Sequence, residues 1–414
     1  MRYILVLFFT AIIFSVSFAQ ESEKPEENES PKSEKIWIPP LEETEERFLD
    51  NVYVIDKCVT VKMRKEHIVH VGNLCEGNKG KFRKEILKEA VDKVSEHLRT
   101  EIDYSVRIVC PESITKIAIA DTSGEITKTA VTELISALKK DKKNIVRAAA
   151  AAYLAELGDK DAGTALIEAL QNDLWSVVRS VCVEAIDKLS IKDAVPVLRE
   201  ALANDAYSSV RAAAASALAK FEDTESINLF IKGLKDPFSS VRIACCKALE
   251  QVPSNEAFQS LSELTKDKHE LVREAVAAPL GKIKTSESVA VLESMLDDVF
   301  EFVRESVIVS LAEIGTEEAK TLLAAKGLKD PNYNCKLKAI SGLCNLKDER
   351  GYEAILNTLK DKYPFQRISA IELIKELNLN ESKIIAALQE ITKNDESEAV
   401  VVKAVEVLNE LNKK

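Results

Sequence analysis

Glycine, aromatic residues and histidine are all scarce in this chain of 414 residues, which has 12 glycines, 6% Phe, Trp and Tyr together, and four histidines. So few glycines and aromatics argue against a sheet-rich fold and for thin helices packed by Ala, Leu and Val. The histidines offer no catalytic or metal-binding constellation, His269 falls in a turn, and no Gly-x-Ser-x-Gly elbow occurs, so the chain is not expected to be an enzyme and no cofactor is expected. Excess positive charge is missing too. With a net charge of -11 and a pI near 5.3, the chain lacks the Lys and Arg excess that releases counterions from phosphates, which argues against nucleic acid as a partner.

An apolar run at residues 4–18 follows Met1-Arg2 and ends in Ser17-Phe18-Ala19, the small-residue spacing of a secretory signal peptide cleaved before Gln20. Residues 1–19 are therefore expected to be removed and the protein exported, periplasmic or secreted. The run is short for an uncleaved anchor, no cysteine follows it to carry a lipid, and no second membrane segment appears. Residues 20–46 are rich in Glu, Lys, Ser and Pro and read as a disordered acidic linker. Its apolar island, Ile36-Trp37-Ile38-Pro39-Pro40, reads as packing on the next domain, with a docking peptide as the alternative.

Residues 47–120 change character. β-Branched runs at 52–55, 59–63 and 68–71 read as strands, 81–98 as an amphipathic helix and 104–109 as extended, which predicts a small α+β domain. It holds Cys58, Cys75 and Cys110. In an oxidising compartment one disulfide is expected, and Cys58 to Cys75 is the most local pairing, worth roughly 3 kcal/mol by loop closure. Zinc held by Cys58, His67, His70 and Cys75 is the alternative, disfavoured because histidines three apart on a strand face opposite ways. Gly77-Asn78-Lys79-Gly80-Lys81 lacks the spacing of a phosphate loop and reads as a turn.

From residue 125 to 414 one phrase recurs. Asp141, Asp173, Asp205, Asp236, Asp267, Asp298, Asp330, Asp361 and Asp395 stand 31 or 32 residues apart, the last after 34, and such a period means stacked helix pairs. The inner-helix set Val210, Ala213, Ala214, Ala217, Leu218 and Phe221 is matched in the next repeat by Val241, Ala244, Cys245, Ala248, Leu249 and Val252. Cys182, Cys245, Cys246, Cys335 and Cys344 fall on inner helices and read as small buried apolar residues, and stacking puts Cys182 and Cys245 too far apart to bridge. Pro279, with Gly281 beside it, should break a backbone hydrogen bond and make the fifth repeat a bend. Arg147, Arg179, Arg211, Arg242, Arg273, Arg304 and Arg367 recur in the first turn of a helix, where the macrodipole disfavours a cation. Each needs an anion, and the Asp six residues earlier is the expected partner.

The phrase Asp-x4-Val-Arg-x2-Ala resembles the HEAT repeat family, specifically short HEAT-like repeats of the phycobilin-lyase type, over nine repeats from Glu125 onward. The resemblance implies a right-handed, all-α solenoid. It implies that the Asp and Arg positions above form a hydrogen-bonded ladder between adjacent repeats, with Lys336 in place of Arg in the seventh repeat and Val401 in the ninth. It also implies a scaffold that binds a protein or peptide on its concave surface. An envelope assembly factor whose N-terminal domain binds, with the solenoid as a spacer, is the alternative; a lyase-like enzyme comes third. A contiguous apolar patch on the inner surface would favour the scaffold and a charged one the spacer.

Overall fold

The computed structural model describes residues 45–411, so the expected leader and nearly all of the expected linker lie outside the described residues. No strand occurs among the described residues. In chain order the helices are α1 (Glu45–Lys57), α2 (Val61–Gly77), α3 (Lys84–Thr100), the short α4 (Tyr104–Arg107) and α5 (Cys110–Ala120). Nine pairs follow: α6 (Glu125–Lys140) with α7 (Asn144–Leu157), α8 (Gly163–Asn172) with α9 (Ser176–Leu189), α10 (Val195–Asn204) with α11 (Ser208–Lys220), and α12 (Ile227–Gly233) with α13 (Ser239–Gln251). Then come α14 (Phe258–Leu264) with α15 (Glu270–Ile283), α16 (Ser286–Met295) with α17 (Glu301–Ile314), α18 (Glu317–Ala325) with α19 (Tyr333–Asn345), α20 (Glu349–Thr358) with α21 (Pro364–Glu376), and α22 (Ser382–Asn394) with α23 (Glu398–Leu411). Second helices pack on one another more extensively than first helices do, and are called inner for that reason.

Alanine explains much of this. In α11, Val210, Ala214, Ala217 and Leu218 are buried, and small side chains with high helix propensity let α11 press closely on α9 and α13. Helix ends are set locally: Gly158 and Gly315 close α7 and α17 at φ of 77° and 68°, and the Thr316 hydroxyl accepts from Ala319 N–H to open α18.

The expected α+β domain is helical instead. Residues 52–55 lie in α1 and residues 68–71 in α2, while 59–63 enclose the start of α2 and 104–109 hold α4. The buried residues Phe48, Val52 and Ile55 are spaced i, i+4, i+7, and Ile68, Val71 and Cys75 i, i+3, i+7, so the β-branched side chains follow the helical period. α3 packs on α5 as a first helix on a second, and α2 packs on α5 as consecutive inner helices do, so the stack continues ahead of the nine pairs. Gly72 brings α2 onto α5: a Cβ there would lie 2.9 Å from the Ser113 Cα. Residues 77–81 end α2 and form the following turn, with Gly80 at φ 73°.

Pro279 does not interrupt α15, which runs from Glu270 to Ile283 with Pro279 and Gly281 buried. Gly281 serves close packing, since a Cβ there would meet the Ser310 Cβ of α17 at 2.9 Å. The stack is loosest elsewhere, between α19 and α21, which make the sparsest backbone approach of any consecutive inner pair. Side chains bridge that seam: the Tyr333 hydroxyl donates to the Gln366 carbonyl at 2.9 Å, and the Tyr333 ring meets Phe365 edge-on at 5.9 Å.

Candidate interaction surface

The repeated arginine is bound from two repeats at once. Its Nη1 donates to the backbone carbonyl six residues earlier, as from Arg147 to Asp141 and Arg304 to Asp298, both at 2.8 Å. Its Nε and Nη2 reach the carboxylate of the following repeat. The Nε to carboxylate distance is 2.6–2.8 Å for Arg147–Asp173, Arg179–Asp205, Arg211–Asp236, Arg242–Asp267, Arg273–Asp298, Arg304–Asp330 and Arg367–Asp395. The expected pairing with the carboxylate six residues earlier is therefore replaced. The near Asp lends only its carbonyl, and its carboxylate is held by the preceding repeat's arginine. An unfavourable cation at a helix N-terminus is thus offset by one carbonyl and one carboxylate.

Aspartate is suited to this place because its Oδ1 also accepts the backbone N–H two residues on, as from Tyr207 to Asp205 at 2.9 Å and from Phe238 to Asp236 at 2.9 Å. One short carboxylate both shapes the turn and receives the arginine fork. Hydrogen bonds from Arg273 hold the Asp298 carboxyl below its ordinary value, with burial opposing. A folded-state pKa lowered in this way stabilises the fold above the ordinary carboxyl value and loses that contribution as pH falls through the lowered value. The thermal midpoint is therefore expected to be nearly level from neutral to about pH 5 and to drop steeply below about pH 4. A pH series of melting curves checks this, and a midpoint unchanged at pH 3 would exclude rungs of this strength.

The ladder also reaches back before Asp141. Arg107 pairs with Asp141 at 2.7 Å and Arg64 with Glu101 at 2.8 Å, and their Nη1 atoms donate to the carbonyls of Glu101 and Cys58, again six residues earlier. The signal was the phrase Glu101-x4-Val106-Arg107, in which Glu replaces Asp and the interval to Asp141 is 40 residues. One rung is missing: among the described residues Lys336 makes no ion pair with Asp361. Assigned the orientation in which its nitrogen faces Asp361, the Gln366 side-chain amide instead donates to the two carboxylate oxygens at 2.6 Å and 3.1 Å, at the seam between α19 and α21.

Above the rungs lies a row of exposed aromatics. Two residues after the repeat Asp stand Trp175, Tyr207, Phe238, Phe300 and Tyr363, with His269 and Asn332 at the intervening positions. Each aromatic occupies the N-cap position of an inner helix. Trp175, Tyr207 and Phe238 are 53–56% exposed, far from the burial of a core aromatic. Three of the rings are seated on the arginine beneath them: the guanidinium carbons of Arg179, Arg211 and Arg273 lie 5.7, 5.8 and 5.7 Å from the ring centroids of Tyr207, Phe238 and Phe300. The inner-helix face differs. Cross-repeat ion pairs line it, Lys188 to Glu156 at 2.7 Å and Lys375 to Glu406 at 3.1 Å among them, and its large exposed apolar residues are few, Val309 in the sixth repeat and the neighbours Val402 and Val405 in the ninth among them.

The Cys58 to Cys75 disulfide does not form. Cys58 precedes α2 and Cys75 lies near its far end, so about 20 Å of helix separates them against the ~7 Å a bridge allows. His67 and His70 share that helix, so the zinc set is split by the same distance. Burial holds both histidines below their ordinary value, helped for His67 by its neighbour His70. All eight cysteines are buried and free. Burial pushes Cys75, Cys245 and Cys344 up to about 12 and Cys335 up to about 11. At pH 8 the folded chain should therefore resist iodoacetamide, with all eight thiols alkylated only after denaturation; mass spectrometry of the adducts checks it, and prompt native labelling would contradict the burial.

A model of HEAT repeats matches residues 91–187, 178–237, 195–278, 227–312 and 264–325, an unbroken span of more than half the chain. The chain belongs to the HEAT repeat family. A search of curated proteins finds no match. Among solved structures the HEAT stack is similar to importin beta, with 13% identity, a TM-score of 0.58, and coverage of 88% of this chain and 57% of that one. It is also similar to Kap121p, at 11% identity and a TM-score of 0.51 over 89% of this chain and 50% of that one. The chain thus spans about half the length of these solenoids, and at such identity the likeness is one of fold. Human deoxyhypusine hydroxylase also matches, at 17% identity over 64% of this chain and 98% of that one, but its TM-score of 0.30 carries no argument for a shared reaction.

Proposed function

We propose that this HEAT protein is an exported scaffold that binds another protein along its row of inter-helix turns. The observation behind the reading is the row from Trp175 to Tyr363: exposed rings at equivalent places, three of them in consecutive repeats at Trp175, Tyr207 and Phe238, which stand on a framework of buried ion pairs. Soluble proteins rarely leave such surface uncovered without a use for it. The inner-helix face was the first expectation; its ion pairs are the outcome that favours the spacer there, and they leave the row of turns as the binding candidate. Solenoids of similar fold are described with proteins bound, Kap121p with Nup53p and with Pho4p. The spacer alternative called for a separate N-terminal binding domain, whereas α2 to α5 continue the stack and its rungs.

Export rests on the leader-like residues 1–19. Eight unpaired thiols are unusual for an oxidising compartment, and their burial is what makes them compatible with it. The test is cross-linking and affinity capture from the native compartment with the whole chain, since a cut near residue 120 would sever the Arg107–Asp141 rung. Reproducible enrichment of one protein supports the scaffold. Co-purification of a small molecule with no protein would reopen the enzyme reading.

A further inference from the structure

The row of turns has a period, and that period selects a class of ligand. Leu174-Trp175, Ala206-Tyr207 and Pro237-Phe238 form three consecutive uncharged turns, and Val299-Phe300 adds a fourth two repeats on. Leu174 and Val299 are 89% and 86% exposed, so each enlarges the apolar step made by its aromatic neighbour. Packed helices lie about 8–10 Å apart, which sets the spacing of successive steps. A polyproline-II strand presents the same face every third residue, or about 9.3 Å. A β-strand repeats its face at about 6.7 Å and then about 13 Å, out of step with the row.

Hydrogen bonding points the same way. The backbone N–H of Trp175, Tyr207 and Phe238 each donates to the repeat Asp at 2.9 Å, so these turns have no free donor there for a pairing strand. What remains is ring faces, held in place by the turn and, for Tyr207 and Phe238, by the guanidinium below. Rings fixed before binding lose little entropy when a ligand covers them. A ligand that brings flat apolar faces at the right interval and needs no backbone partner meets these conditions, and proline-rich segments do so.

We propose that the edge formed by Trp175, Tyr207 and Phe238 binds an extended, proline-rich peptide segment in the polyproline-II conformation, one turn of peptide per repeat. This rests on the scaffold reading and names its partner's chemistry. The test uses the whole chain and a fluorescein-labelled peptide of ten prolines, followed by anisotropy, with an equally long Gly-Ser peptide and an amphipathic helical peptide as comparisons. The proline peptide should bind and the Gly-Ser peptide should not. The double variant Tyr207→Ala, Phe238→Ala should weaken binding roughly tenfold or more while its circular dichroism stays unchanged. No anisotropy change up to about 1 mM peptide, equal binding by the double variant, or preference for the helical peptide would each overturn the proposal. Affinity capture with the same variant separates the two readings. If the whole chain and the variant enrich one protein equally, the scaffold stands and the aromatic edge is not its peptide site.

Discussion

Replacing Arg304 by Ala should cost about 3–5 kcal/mol of folding stability, because it strands a buried carboxylate. Arg304 and Asp330 are 8% and 6% exposed, and the guanidinium donates to the Asp330 carboxylate at 2.7 and 3.0 Å and to the Asp298 carbonyl at 2.8 Å. After truncation Asp330 keeps only local partners, the Asn332 backbone N–H at 2.8 Å among them. Removing both charges in the double variant Arg304→Ala, Asp330→Asn should cost less than the arginine change alone. Arg199 is not a neutral control, although it lies outside the repeat phrase: its Nε is 2.8 Å from Asp223 in the next turn. Exposed Lys192 serves better, and Lys192→Ala should be silent. Urea denaturation of the variants would decide the matter, and equal midpoints for Arg304→Ala and Lys192→Ala would remove the rungs from the account of stability.

Phe230 to Ala should be similarly damaging, at about 3–5 kcal/mol, for a different reason. Phe230 is fully buried on α12, a helix of only seven residues with little else to anchor it. The space cannot be recovered by sliding the helix inward, because Gly233 already packs so tightly that a Cβ there would overlap the Cys245 sulfur at 2.3 Å. Phe238, eight residues on, is the paired comparison. It is half exposed, and Phe238→Ala should stay within about 1 kcal/mol of the parent, losing little beyond its contact with Arg211. Thermal melting of the two variants side by side checks both expectations, and similar losses would mean that burial does not distinguish these two rings.

The contrast between Phe230 and Phe238 also marks what was legible in the chain. Recurring Asp and Val-Arg announced the stack, because the turn and the buried valine impose the same residue types in every repeat. The aromatic row shared that register, two residues past each Asp, but a residue free of packing constraint can vary, and His269 and Asn332 interrupt it. At the N-terminal end the β-branched runs were too short to tell strand from helix by composition. The spacing discriminates, from Phe48 to Ile55 and from Ile68 to Cys75, and it is helical. The direction of each rung was not legible in the spacing; only the family resemblance implied a ladder between adjacent repeats, and the pairs run that way. Six residues across a turn look near in sequence, yet the arginine leaves its own repeat for the next.

One feature of the stack bears on how the chain comes apart. A repeat array behaves as a row of coupled units whose cooperativity is only as strong as its weakest junction. Between α19 and α21 the helices stand apart and the rung is replaced by a local Gln366–Asp361 contact, so side chains carry the junction: Tyr333 on Phe365, and an apolar cluster that joins Ile340 and Cys344 of α19 to Ile371 and Ile374 of α21. The same cluster continues through Ile384, Leu388 and Val400 on the last helices. With its rung missing and its helices apart, this junction is where the array is expected to part first, the carboxy-terminal segment opening below the free energy of global unfolding. A pull or a protease acting on that end would meet a separable terminal module, and the aromatic edge from Trp175 to Phe238 would remain assembled after it had opened.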